Sequence, residues 1–186
     1  NLKLISRVGI GLDSVDLLAA RKRGILVSYT PDAPTAAVAE LTITFMLSLL
    51  RSLQIANHRM HQGEWFRYLG RRLSEVTVGI IGAGRIGSRV IRHLAGFECR
   101  RILINDIDSS LMLPSHPTCA VEQVDKGVLY READIISIHV PLTRNTRNLI
   151  TKKEIFQMQP GTLLINTARG GIVDEVALHN ALLQRA

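Results

Sequence analysis

The feature that most constrains this 186-residue chain is a repeated alternation of short, β-branched apolar runs with stretches of helical spacing. The first unit reads LKLISRVG, SVDLLAARKRG and ILVSYT, with Gly24 placed to stop its helix. The rhythm restarts with strand 76–81, a helix from Arg85 to about Ala95, and strand 101–105. Strand 134–140, helix 152–158, strand 162–167 and helix 174–184 complete it. Parallel strands need long crossovers, and helices supply them. The alternation therefore predicts an α/β fold, a doubly wound parallel sheet with helices on both faces. Residues 108–131, which include Pro114 and Pro117, interrupt the pattern and read as irregular.

Between the two rhythmic blocks, Pro31 and Pro34 punctuate a turn, and no Pro or Gly follows from Thr35 to about His61. That stretch predicts one long helix. Its Leu, Ile, Met and Phe residues fall on most faces from Leu41 to Leu53, so it is expected to be buried in a core or between subunits. A polar linker, HQGEWFRYLGRRLSE, follows it.

Composition narrows the class. Apolar residues are 46% and charged residues 21%, as in a soluble globular protein. The longest apolar run, Leu41 to Leu50, is interrupted by Thr42, Thr44 and Ser48, well short of the roughly 20 residues of a membrane span. No signal peptide is visible. Cys99 and Cys119 form neither a disulfide framework nor a paired metal spacing, which points to a reducing, cytoplasmic setting. His58 and His61 share a helix face with no third ligand in view and read as surface residues, so no metal is expected. The net charge of +7 is spread over Arg21-Lys22-Arg23, Arg71-Arg72, Arg100-Arg101 and Lys152-Lys153 without interleaved aromatic residues. Such scatter favours a solvated surface that attracts small anions over a nucleic-acid partner.

GAGRIG, residues 82–87, follows the strand VTVGII and opens a helix. That context turns a weak glycine pattern into a dinucleotide-binding one. Gly82 permits the tight turn, Gly84 lets the backbone approach a pyrophosphate, and Gly87 lets helix and strand pack closely. Asp106, at the end of the next strand, would accept from the ribose hydroxyls and repel a 2′-phosphate. Ile107, Asp108 and Ser109 after it carry no compensating positive charge. The cofactor read from these residues is NAD rather than NADP.

Ligands of open α/β sheets bind beyond the carboxyl ends of the strands. Two such ends are polar: ISIHVPLTRNT, with His139, Pro141, Thr143 and Thr146, and INTARGGIVDE, with Thr167, Ala168 and Arg169. An arginine there can grip a carboxylate bidentately and polarise a neighbouring carbonyl, or it can be a surface residue ahead of a helix.

RVGIGLDSVD, ILVSYTPDAPTAAVAELT, GAGRIG with Asp106, HVPLTRNTRNLI and NTARGGIVDEVAL together resemble the D-isomer-specific 2-hydroxyacid dehydrogenases. The likeness covers nearly the whole chain and is strongest to the phosphoglycerate dehydrogenase branch, although hydroxypyruvate and glyoxylate reductases share most of these strings. It implies a Rossmann NAD-binding domain over 32–186 and, over 1–31, the last part of a flavodoxin-like substrate domain. It implies that Arg169 is the catalytic arginine and that amides around Val8 and Gly9 hold the substrate carboxylate. Arg7 is either an extra charge for a phosphorylated acid such as 3-phosphoglycerate or a surface ion pair. Arg85 and Ile86 would lie against the pyrophosphate, while His139, Val140, Pro141, Thr146, Thr167 and Ala168 would line the cofactor. The helix after Thr35 resembles the interdomain helix through which the family forms homodimers. Glu40 matches a family glutamate and reads as structural. The histidine and glutamate that handle the proton in this family have no counterpart at matching positions here. The implied activity is hydride transfer between NAD and a small 2-hydroxy or 2-keto acid, with little turnover from these 186 residues alone. The alternative is an NAD-binding corepressor of the same fold.

Overall fold

The computed structural model of the chain describes residues 1–108, 110 and 119–184. Strand β1 (Leu4–Arg7), helix α1 (Leu17–Lys22) and strand β2 (Leu26–Tyr29) form a compact βαβ unit with parallel strands in the register Ile5↔Val27. Asp16 caps α1 by accepting from the Ala19 amide at 2.8 Å, so the helix starts three residues later than its apolar spacing suggests. Gly24 follows the helix with φ +67, as its placement predicts.

The second sheet has five parallel strands: β3 (Thr77–Ile81), β4 (Arg101–Asn105), β5 (Ala120–Gln123), β6 (Ile135–Ile138) and β7 (Leu163–Asn166). Their spatial order is β5-β4-β3-β6-β7. β3 lies at the centre, paired with β4 and β6, and all five of its residues are buried. Such strands carry apolar side chains on both faces because helices cover both. On one face, Val78 and Ile80 of β3 join Ile102 and Ile104 of β4 beneath helix α2 (Thr35–Leu50) and helix α4 (Arg85–Gly96). On the other, Ile81, Leu103, Ile136 and Ile138 meet Leu129 and Tyr130 of helix α5 (Lys126–Glu132). Gly79 is a strand glycine for a packing reason: a Cβ there would stand 2.8 Å from the Leu129 side chain.

The helix expected over 35–61 is two helices. α2 stops at Leu50, and α3 (Leu53–His61) continues after a 67° bend. Ser52 takes the left-handed conformation at the break, with φ +51. The Leu50 carbonyl accepts from the Arg71 amide at 3.2 Å instead of continuing the helical ladder. The returning linker comes this close only because residue 70 is glycine, whose absent Cβ would lie 2.5 Å from that carbonyl. The cause of the bend is therefore distant in sequence. Among the described residues no single helix is long and apolar enough to cross a membrane.

Residues 108–131 are more regular than expected where they are described. β5 pairs with β4 through Arg101↔Ala120, and α5 begins after Asp125. Arg101 anchors this edge through Glu122, at 2.7 Å, and Glu132. A four-residue edge strand containing Glu and Gln has no clear alternation to read. Pro114 and Pro117 lie outside the described residues. The helix expected over 152–158 closes after one turn as α6 (Lys152–Ile155), because Gln157 and Met158 donate to carbonyls three residues back rather than four. The last helix, α7 (Glu175–Leu183), is capped by Asp174, which accepts from the Val176 and Ala177 amides.

The tightest packing constraint is at Gly87, in the first turn of α4. A Cβ there would lie 2.0 Å from the Gly82 carbonyl oxygen. Gly87→Ala should lower stability in urea unfolding by about 2 kcal/mol, the scale of overpacking. Gly96→Ala, at a position where a Cβ meets nothing within 4 Å, should be neutral or stabilise by up to ~1 kcal/mol.

Candidate active site

The strand order reverses direction between β3 and β6, and a crevice opens beyond their carboxyl ends. At its floor the His139 amide donates to the Ile81 carbonyl, and the Gly82 amide donates to that of Asn105, both at 2.8 Å. Gly82 turns the chain with φ +91, and a Cβ on it would press within 2.7 Å of Val140. Gly84 differs: a Cβ there would meet nothing within 4 Å, so its face is open. It is the N-cap of α4, whose first amides have no side-chain cap. Unpaired amides at the head of a twelve-residue helix, reached over an open glycine, fit a pyrophosphate.

The crevice encloses about 470 Å³, within the range of small-molecule sites. Gly84, Arg85 and Ile86 form one wall, His139, Val140 and Pro141 a second, and Thr167, Ala168 and Arg169 a third. The fourth comes from the N-terminal unit: Ile10 to Asp13, Tyr29 and Pro31. Gly82 and Gly87 stand behind the walls and shape the turn. Asp106 ties that turn to β4, accepting from the Ala83 amide at 2.6 Å and from the Asp108 amide at 2.9 Å. Each carboxylate oxygen keeps acceptor capacity for a sugar hydroxyl. Ser109 lies outside the described residues.

Four expected contacts are placed differently. Thr146 does not line the crevice: its hydroxyl accepts from the Thr143 amide at 2.7 Å and donates to the Pro141 carbonyl, bracing the loop from behind. Arg7 donates from Nε to the Gly11 carbonyl at 3.0 Å. Val8 is 89% exposed, and the Gly9 amide donates to the Thr30 hydroxyl at 2.7 Å. These three lie beside the wall rather than in it, because the chain bends at Gly9, with φ +127, and presents Ile10 to Asp13 instead.

Both cleft arginines have carboxylate partners from the N-terminal part of the chain. Arg169 Nε donates to Asp13 Oδ2 at 2.7 Å, and its Nη1 donates to the Ala168 carbonyl at 2.8 Å. This hydrogen bond holds the Asp13 carboxyl below its ordinary value of 3.8. Arg85 Nε pairs with Asp32 at 2.7 Å. Thr42, buried in α2, donates to the Val38 carbonyl and accepts from the Thr167 hydroxyl at 3.0 Å, fixing α2 against the end of β7.

A family model for the D-isomer-specific 2-hydroxyacid dehydrogenase NAD-binding domain matches residues 43–186. The chain belongs to that family. It is 39% identical over 185 residues to a hydroxypyruvate reductase of Thermotoga maritima, covering 98% of this chain and 58% of that protein. It is also 39% identical to a D-3-phosphoglycerate dehydrogenase of Methanocaldococcus jannaschii, over 97% of this chain and 34% of that protein. A solved D-lactate dehydrogenase from Aquifex aeolicus, complexed with NAD and lactic acid, superposes with a TM-score of 0.86 at 35% identity. That match covers 98% of this chain and 55% of the solved one. The chain thus spans about half the length, or less, of these three proteins.

Within this dehydrogenase domain, sequence reasoning passed over Gly11, Asp13, Asp32 and Thr42. The GIGLD run just past β1 was the available signal for the first two: glycines beside an acid at a strand end. His58 and His61 contact only local partners, Gln62 and the Asn57 carbonyl, and among the described residues no group of three potential ligands could hold a metal.

His139 bonds through Nε2 to the Ser137 hydroxyl at 2.9 Å, and burial pushes its pKa down from 6.5 to about 4. The ring is neutral at pH 7. The unfolded chain binds a proton here at higher pH than the folded one, so stability is lost as pH falls from 6.5 to about 4. The expected slope from this ring approaches ~1.4 kcal/mol per pH unit. Urea titrations across that window should show this slope for the native protein and a flatter one for His139→Gln. An NMR midpoint near 6.5 for His139 would count against it.

Proposed function

We propose that this chain is the cofactor-binding part of an NAD-dependent dehydrogenase acting on a small 2-hydroxy acid or its 2-keto counterpart. Residues 32–186 are read as the nucleotide domain and 1–31 as a portion of the substrate domain. The observation that carries the reading is one crevice lined by both the open Gly84 turn and the Arg169 guanidinium. Amides at the head of α4 bind the pyrophosphate, and Asp106 accepts from the adenosine ribose. NAD supplies the hydride acceptor or donor. Arg169 binds the substrate carboxylate and polarises the adjacent carbonyl with the Nη hydrogens that remain free. His139 is neutral and already bonded to Ser137, so it holds its place in the wall and is not the proton donor. Arg7 gives its Nε to Gly11, which counts against a dedicated phosphate contact from that residue.

Oligomeric state and location belong to the same proposal. Leu41, Phe45 and Leu49 form a stripe on α2 and are 46%, 42% and 48% exposed, and Leu53 and Ile55 of α3 are exposed as well. Four-residue spacing puts the α2 residues on one face, and we read that face as a homodimer interface. Two free, buried cysteines suit a cytoplasmic protein.

Two measurements test this. In calorimetric titrations of the full-length protein, NADH should bind at least about tenfold tighter than NADPH, and Asp106→Ala should erase most of that difference. Equal affinity for the two cofactors in the native protein would refute the role of Asp106. In sedimentation equilibrium, the double variant Phe45→Glu, Leu49→Glu should be monomeric at concentrations where the parent is a dimer. A parent that sediments as a monomer would remove the interface.

A further inference from the structure

The Asp13–Arg169 contact joins residues 156 positions apart, from loops that follow strands of separate sheets, at the rim of one crevice. A guanidinium has five N–H groups, one on Nε and two on each Nη. Asp13 takes the Nε hydrogen, and the Ala168 carbonyl takes one from Nη1. What remains is the terminal edge, Nη2 and the second hydrogen of Nη1. Nη2 lies where a Cβ on residue 11 would be, 2.1 Å away, so the guanidinium occupies this position only because residue 11 is glycine. The same absent Cβ would stand 3.1 Å from Asp13 Oδ2. Arg7, donating to the Gly11 carbonyl, braces the loop that carries both residues.

We propose that Asp13 is a positioning residue for Arg169, and that with Gly11 it fixes the terminal edge of the guanidinium as the edge offered to the substrate carboxylate. Arginine otherwise offers two bidentate edges on a long flexible stem. The side edge, Nε with Nη2, is already engaged through Nε. A carboxylate entering the crevice therefore meets a single, pre-oriented fork. Loss of Asp13 should weaken ground-state capture of the keto acid and leave cofactor binding untouched. This inference rests on the dehydrogenase reading above.

The test uses the full-length protein with saturating NADH and three probes: glyoxylate, hydroxypyruvate and pyruvate. For whichever is reduced, Asp13→Ala should raise KM about tenfold or more while kcat falls less than about threefold, with the Kd for NADH unchanged. Asp13→Asn keeps an oxygen that accepts from Nε and should return KM to within about threefold of the parent. Gly11→Ala displaces Nη2 and should reproduce the Asp13→Ala pattern. If Asp13→Ala does not fold, the other two variants decide: the role stands if Gly11→Ala raises KM and Asp13→Asn does not. A parent that reduces a keto acid, an inactive Arg169→Ala and an Asp13→Ala indistinguishable from the parent would overturn the role of Asp13 alone. Equal losses in Asp13→Ala and Asp13→Asn, accompanied by weaker NADH binding, would reduce it to a structural contact. A parent that reduces none of the three probes would overturn the dehydrogenase reading, and the role of Asp13 with it.

Discussion

The contact between the Gly82 carbonyl and the bare Cα of Gly87 is the constraint on which the rest of the site depends. It sets how closely α4 sits on β3, and so where the head of that helix points. β3 is the central strand, and its ladder to β4 and β6 fixes the crevice beyond their ends. Any added atom at residue 87 would lift the helix off the strand. The anion cradle at Gly84 and the turn that Asp106 laces to β4 would shift with it. Packing density here is a condition for binding geometry, since a site displaced by even an ångström loses its alignment.

Much of this was legible in the amino-acid sequence because the signals are local. β3 and β4 were readable from β-branched runs, and β4 appears over the expected residues, Arg101 to Asn105. The glycine turn announced itself through the strand before it and the helix after it. The missed features are non-local. The bend at Ser52 has no Gly or Pro nearby; it depends on Gly70 letting a later segment take the Leu50 carbonyl. β5 is an edge strand that finds its register through ion pairs of Arg101 rather than through alternation.

The site divides in the same way. Gly84 is read from the glycine turn, His139, Pro141, Thr167, Ala168 and Arg169 from polar strand ends, and Arg85, Ile86 and Val140 from the family resemblance; they share one crevice because a parallel sheet gathers its strand ends on one side. Thr146 was chosen by the same logic and lies behind the wall, because its hydroxyl is consumed by its own loop. The pairings of Asp13 with Arg169 and of Asp32 with Arg85 could not be read from spacing, since each joins segments far apart in sequence.

Those two aspartates have a consequence for how anions arrive. The chain carries a net charge of +7, yet the arginines at the mouth of the crevice each already face a carboxylate. A phosphate or carboxylate approaching from solvent does not fall into a bare positive well. It enters a neutralised entrance and meets only the guanidinium hydrogens that the internal partners leave free. Recognition is then governed at short range by the shape of the donor fork, and the rate of capture should depend only weakly on ionic strength despite the basic surface around it.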